Sequence, residues 1–186
     1  GMVRDVLGSL GITDPVFANW LKHNVRPHRV PGHSTVVVSL KEPGRTPGDA
    51  SSEAMELVAD LAEQFGHNEI RVNYTQNLML PHVATSDVVP LYDILRANGL
   101  ATGNHDLLGD MICCPGLDFC SLANAGTIAV ARAIQERCGD FDYLYDLGPI
   151  EIKMSGCMNA CGQHHVGHIG ILGVDKHGEE WYQIQL

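Results

Sequence analysis

Apolar positions change their period several times along this chain, and each change marks an element. Val36, Val38 and Leu40 alternate with polar or small neighbours, the two-residue repeat of a strand with one buried face. A Pro- and Gly-bearing loop follows at 42–48. Leu57, Val58, Leu61 and Phe65 then recur on one face of a helix that Asp49 or Ser51 can cap and Gly66 closes. Ile70, Val72 and Tyr74 alternate again, and Leu78 and Leu80 give a further short strand. Ser86 or Asp87 caps a helix that turns Val88, Leu91, Ile94 and Leu95 inward and ends at Gly99. Pro90 falls in its first turn, where an amide hydrogen has no helical acceptor to lose. Residues 34–100 therefore read strand–helix–strand–strand–helix, an open α+β unit.

Residues 1–33 read as a lead-in. Gly1 before Met2 looks like a tag scar, and Asp14-Pro15 starts a short helix through Trp20 and Leu21. Beyond a polar link at 101–110, a second unit begins at Ile112. An Ala-rich helix is predicted from about Phe119 to Arg137, ended by Gly139. Ile150, Ile152 and Met154 alternate as a strand, and residues 155–162 form a tight turn. Ile169 to Val174 and Trp181 to Leu186 read as paired strands around Asp175-Lys176-His177-Gly178. The last strand signal runs to Leu186 without a polar tail, so a chain cut there is expected.

Composition narrows the partners. Hydrophobic residues are 45% of the 186, enough for a real core. A formal net charge of −10 and the lack of a Lys/Arg run argue against a nucleic-acid surface. No stretch has the apolar length needed to span a bilayer. The start, Gly1-Met2-Val3-Arg4-Asp5, lacks the basic and apolar regions of a signal peptide, so the cytoplasm is expected. Six cysteines in a reducing compartment are read as metal ligands or free thiols before disulfides.

Four of those cysteines form two short motifs. In Cys114-Pro115-Gly116-Leu117-Asp118-Phe119-Cys120 five residues separate the thiols, and in Cys157-Met158-Asn159-Ala160-Cys161 three do. Soft thiolates suit iron–sulfur clusters, which commonly take four of them. Pro115-Gly116 and Gly156 permit the tight turns that close backbone approach requires. Cys120, near the start of the predicted helix, would sit at the positive end of its dipole. A zinc site usually has tighter spacing than the first motif. Zinc, disulfides and four inert buried cysteines nevertheless stay open on spacing alone.

The two motifs and their order resemble the siroheme-containing nitrite and sulfite reductase family. Residues 112–170 are similar to its cluster-binding signature: Cys114-Pro115-Gly116, Cys120, then Met154-Ser155-Gly156-Cys157-Met158-Asn159-Ala160-Cys161. Residues 34–100 resemble its ferredoxin-like half domain, including Tyr74-Thr75-Gln76-Asn77-Leu78. The resemblance implies an α+β chain. Its ferredoxin-like half domain, 34–100, precedes an α/β domain with a mixed sheet, 101–186, that binds a 4Fe–4S cluster and siroheme. It implies that Cys114, Cys120, Cys157 and Cys161 ligate the cluster and that Cys161 also bridges to the siroheme iron as the catalytic thiolate. Gln76, Asn77 and Asn159 would lie near the macrocycle.

The implied reaction is the six-electron reduction of sulfite to sulfide or nitrite to ammonia. The implied donor is a ferredoxin or flavoprotein. The family's basic substrate cradle comes mainly from an N-terminal half. Nothing here repeats the 34–100 pattern, so this chain is expected to be the C-terminal part, inactive alone and able to self-associate as a homodimer. Two other classes remain: a stand-alone 4Fe–4S electron-transfer module and a cofactor-free module that keeps the fold. Cys113 and Cys138 read as structural. His164, His165 and His168 read as exposed or locally bonded. Arg71 and Lys153 read either as partners for siroheme carboxylates or as plain strand charges.

Overall fold

The computed structural model describes residues 14–186; the tag-like Gly1 and the rest of the leader reading, through residue 13, lie outside them. The chain divides into two compact units. One runs to Glu42 and resumes over Ala50–His105; the other is Pro43–Asp49 with Asp106–Leu186.

The first unit opens with α1 (Pro15–Asn24), whose Asp14 side chain accepts the Val16 N–H at 2.9 Å. Pro15 fits the first helical position because its missing donor would be unpaired there. Phe17, Trp20 and Leu21 on its inner face are buried, so this helix, read as part of a lead-in, belongs to the core. β1 (Val25–Pro27) and β2 (His33–Val38) follow, then α2 (Ser52–Phe65). Ser51 Oγ caps α2 by accepting the Ala54 N–H at 3.2 Å, and the Gly66 N–H closes it onto the Ala62 carbonyl. β3 (Arg71–Val72), β4 (Leu78–Ala84) and α3 (Val88–Ala97) complete the unit.

The sheet order is β1-β2-β4-β3, antiparallel throughout. Val36, Val38 and Leu80 from the sheet meet Val58 and Leu61 of α2 and Leu91 and Leu95 of α3. Each such aliphatic side chain stabilises by roughly 1.5–3 kcal/mol on burial. Phe17, Trp20 and Tyr92 pack ring on ring, with centroids 4.7–6.0 Å apart.

Two expectations need correcting here. The alternation Ile70-Val72-Tyr74 yields a strand of only two residues, because the chain turns at Asn73 and leaves Tyr74 exposed. Asp87 stands at the start of α3, but neither it nor Ser86 caps with a side chain. A single 3-10 turn, Thr85–Asp87, feeds the helix, and the Ser86 hydroxyl bonds Asp87.

The second unit contains β5 (Ile112–Cys113), α4 (Ile128–Arg137), α5 (Phe141–Leu147), β6 (Ile152–Ser155), β7 (Ile169–Lys176) and β8 (Glu179–Gln185). The sheet is mixed, in order β5-β6-β7-β8. β5, β6 and β7 pair in parallel, while β8 returns antiparallel through a tight turn at His177 and Gly178, both at positive φ. Met111, Cys113, Ala131, Leu144, Ile152, Met154 and Ile171 are in its core.

The Ala-rich helix starts at Ile128, not Phe119, so Cys120 is not at a helix start. α5 was not anticipated; Asp140 caps it by accepting the Tyr143 N–H. Among the described residues no helix is long and apolar enough to cross a membrane.

Candidate functional site

Both cysteine motifs leave the same end of adjacent parallel strands. β5 pairs with β6 through Cys113 and Met154, and the Cys114 N–H extends that ladder by bonding the Met154 carbonyl at 3.0 Å. Cys114 is thus one residue beyond β5, and Cys157 is two residues beyond β6. The carboxyl ends of parallel strands are where open α/β sheets bind ligands, because the chain there turns away and exposes backbone groups.

The two loops are then sewn together. The Gly156 N–H donates to Cys114 Sγ at 3.1 Å. The Gly156 carbonyl accepts from Asn124 N–H at 2.8 Å and Ala125 N–H at 3.1 Å. Gly116 bridges Gly126, and Cys120 N–H folds back onto the Gly116 carbonyl at 2.9 Å. These bonds hold residues 119–127 in turns, which is why the predicted first half of the helix does not form.

Glycine makes the approach possible. A Cβ on Gly156 would lie 2.7 Å from Gly116 Cα and 2.8 Å from the Ala125 carbonyl oxygen, both inside contact distance. Gly116 itself takes φ +58° and faces the Ala125 oxygen and Thr127 Oγ1 just as closely. A Gly162 Cβ would meet the Met154 oxygen at 1.9 Å.

Cys114 and Cys157 are buried, Cys120 is half-buried and Cys161 is exposed; all six cysteines are free thiols. Within the second loop the Ala160 N–H bonds the Cys157 carbonyl at 3.2 Å, and Ala160 takes φ +57°. Ser155 Oγ accepts the Gly162 N–H at 3.0 Å, anchoring the residue after Cys161. Asn159 is exposed at the tip of that loop. Leu117, Phe119, Leu122 and Met158, all in or beside the motifs, are exposed apolar side chains, Phe119 at 83% and Met158 at 85%. Thiols on fixed turns, an amide aimed at sulfur and a Gly-packed backbone fit a bound iron–sulfur group, whose thiolates need neutralising dipoles.

Several supports were not foreseen. Thr127 Oγ1 donates to the Cys114 carbonyl, and Cys113 Sγ to the same oxygen. Glu180 on β8 accepts the Gly126 N–H at 2.7 Å, while Tyr182 donates to the Gly126 carbonyl at 2.7 Å. Burial, then the neighbouring Glu180 carboxylate, pushes the Tyr182 hydroxyl above its usual range and keeps it a donor. None of these shows in hydrophobic periodicity; only the glycines at 126 and 173 hint at close backbone approach.

Other candidates resolve individually. Cys113 is core and Cys138 ends α4, as read. Lys153 is not an exposed strand charge. It is buried and paired with Glu151 at 3.1 Å. Arg71 is exposed and bonded to Glu69 at 2.6 Å. His164 is buried, against the exposed reading, with Nδ1 lacking a hydrogen bond; burial, then His165, lowers its imidazole below the usual range.

Gln76 and Asn77 lie in the first unit, on the turn after β3. Gln76 takes φ +59° and is half-buried. Asn77 is sealed from solvent, with Oδ1 accepting the Leu40 N–H at 3.0 Å and Nδ2 donating to Thr75 Oγ1 at 3.2 Å. Its amide organises the loop.

Comparison with known proteins adds a separate line of evidence on the chain. Residues 26–98 match the family described as Nitrite/Sulfite reductase ferredoxin-like half domain. The structure of Mycobacterium tuberculosis NirA protein aligns over 88% of this chain, with a TM-score of 0.68 and 27% identity. The chain belongs to the nitrite/sulfite reductase family. A family relative, the chloroplastic ferredoxin–nitrite reductase of Arabidopsis thaliana, is 30% identical over 135 residues, covering 72% of this chain and 22% of its own length. Sulfite reductase (ferredoxin) 2 of Mycolicibacterium paratuberculosis is 31% identical over 68% of this chain and 23% of its own. The chain spans 30% of NirA and about a fifth to a third of the curated relatives it matches. Dissimilatory sulfite reductase I, 18% identical with a TM-score of 0.59, shares the fold.

Proposed function

We propose that this chain is the cluster- and siroheme-binding part of a sulfite or nitrite reductase, with Cys114, Cys120, Cys157 and Cys161 as the thiolates for a 4Fe–4S cluster. One observation carries the reading: two cysteine loops distant in sequence are joined at Gly156, whose N–H reaches Cys114 Sγ. Cys161, the exposed thiol, is assigned the place shared with the siroheme iron, and Asn159 a place beside the macrocycle. Bound together, the two cofactors supply electron storage and a substrate-binding iron. The chain's own work is to fix the thiolates, soften their charge with the Gly156 amide, and keep water away with Leu117, Phe119, Leu122 and Met158.

Ferredoxin is the proposed donor, since it stands in the names of the nitrite and sulfite reductases that match. Sulfite or nitrite is the proposed substrate, and the remaining part of the enzyme the proposed partner. Six free thiols suit a reducing compartment such as the cytoplasm. With a net charge of −10 the chain repels anionic substrate, so it is proposed to be inactive without that partner.

The test is anaerobic reconstitution with iron and sulfide, read by bound iron and by the electron paramagnetic resonance of the reduced protein. Cys114→Ser and Cys157→Ser should lose cluster, while Cys113→Ser should keep it. Equal loss from all three would overturn the ligand assignment. Siroheme added afterwards should give a red-region band that Cys161→Ser alters.

A further inference from the structure

We propose that His28, His33, His67 and His82 form a binding site for a divalent transition-metal ion of the zinc class, built wholly from the first unit. The four residues are scattered in sequence, yet their rings close a circuit. Ring centroids are 5.8 Å apart for His28 and His33, 6.1 Å for His33 and His67, 6.3 Å for His67 and His82, and 5.2 Å for His82 and His28. Four imidazoles sharing one tetrahedral ion would have neighbouring centroids about 5 Å apart. The circuit is wider than that: without an ion only the His28 and His82 nitrogens stand at ligand spacing, so binding must draw the His33 and His67 rings inward.

The backbone explains the gathering. His33 pairs with Ala84 in the β2–β4 ladder, and His82, two residues along β4, lies on the same side as Ala84. Pro27 pairs with Ser34, so His28, next after β1, comes back beside His33. His67 stands just past the end of α2, at φ +55° with Asn68 at φ +60°. The Asn68 N–H locks that turn onto the Ala62 carbonyl at 2.9 Å. Two consecutive left-handed residues other than glycine are uncommon.

The nitrogen chemistry points the same way. His82 Nδ1 and His28 Nε2 face each other at 3.1 Å, close to the roughly 3.3 Å between two nitrogens on one tetrahedral zinc. His82 Nε2 lies 3.2 Å from a Glu69 oxygen, and the other Glu69 oxygen takes the Arg71 Nε hydrogen at 2.6 Å. A carboxylate behind one ring nitrogen fixes the proton there and leaves the other as a lone-pair donor, the usual support of a metal-bound histidine. His33 Nδ1 is buried and makes no hydrogen bond, a cost that a ligand would remove. Without an ion, the Val30 N–H bonds His28 Nδ1 at 2.9 Å, so the His28 proton is on Nε2, facing His82. Loading moves that proton to Nδ1, frees Nε2 to ligate and releases the Val30 amide. Imidazole suits zinc, nickel and copper over calcium or magnesium.

Cobalt(II) is the probe, because thiolate ligation adds a charge-transfer band that imidazole ligation lacks. Titrated into the reduced full chain, it should fill one imidazole-only site, with the Val30 amide resonance shifting in step. His33→Ala, His67→Ala and His82→Ala should each weaken that site by about ten-fold or more, and Glu69→Gln by a smaller factor. His177→Asn, in the exposed β7–β8 turn, should leave it unchanged. Circular dichroism identifies any variant that fails to fold, and Glu69→Gln, an exposed change, then stands as the second test. Cobalt bound only through thiolates, or an affinity indifferent to His82→Ala and Glu69→Gln in folded protein, would overturn the proposal.

Discussion

In the first unit Trp20, Leu80, Leu91 and Leu95 are sealed from solvent and surrounded by other large side chains. In the second, the closest packing belongs to glycines: Gly162 against Met154, Gly156 against Gly116, and Gly173 against Ala125. Sixteen buried residues make the first core and eight the second, so apolar burial holds the second unit far less firmly. What it has in place of side-chain volume is backbone hydrogen bonding between loops, whose directionality fixes sulfur positions as a non-directional apolar contact does not. The difference teaches that a site made of loops is stabilised by bringing main chains together, and that glycine is the residue that allows it.

Five substitutions would break or sharpen that contrast. Trp20→Ala should have the largest effect, about 3–5 kcal/mol on the first unit, because a full ring system leaves a sealed core. Trp181 on β8 then reports the second unit alone, so urea unfolding followed by its emission should be little changed. Gly162→Ala should reverse the pattern, destabilising the second unit by about 3 kcal/mol, since the new methyl meets a carbonyl that cannot swing away. Gly139→Ala, whose Cβ would meet nothing nearer than 3.5 Å, should be close to neutral in the same assay.

Asn77→Ala should cost about 1–3 kcal/mol in the first unit by leaving the Leu40 N–H without its acceptor. Amide exchange at Leu40 should quicken in step.

The smallest effect concerns pH. Burial holds His164 below the ordinary imidazole range, so on acidification the unfolded chain takes up a proton before the folded one does. Its contribution is therefore present above about pH 6.5 and lost as pH falls towards the folded value. His164→Gln should flatten that part of the stability profile of the second unit, and an unchanged slope would show that other groups set it.

Much of the first unit was legible because its elements obey their own periods. Ser51, Leu57, Val58, Leu61 and Gly66 mark α2 from cap to cap, and Val36 and Val38 mark β2. The helix misread from Phe119 shows where that reasoning ends. Ser121 to Ala125 has adequate helix propensity, but Asn124 and Ala125 spend their amides on Gly156, a partner more than thirty residues away. Lys153 escaped for a related reason: a charge within a strand reads as exposed unless the chain alone reveals that both faces are covered. α5 is too short for a period, and only Asp140 announces it. The cysteines were legible through their chemistry, whereas Thr127, Glu180 and Tyr182 act through carbonyl and amide groups that any residue carries.

The joining of the loops also sets a timetable for synthesis. Cys114 and Cys120 leave the ribosome long before Gly156 and Gly173, the residues against which their loop and its continuation to Ala125 pack. At about 5–20 residues per second, the 59 residues from 114 to 173 take roughly 3–12 s to make. For that interval the first two thiols have no finished pocket to enter. They are open to oxidants and to stray metal, and the nascent chain depends on the cell's reductants to deliver them intact.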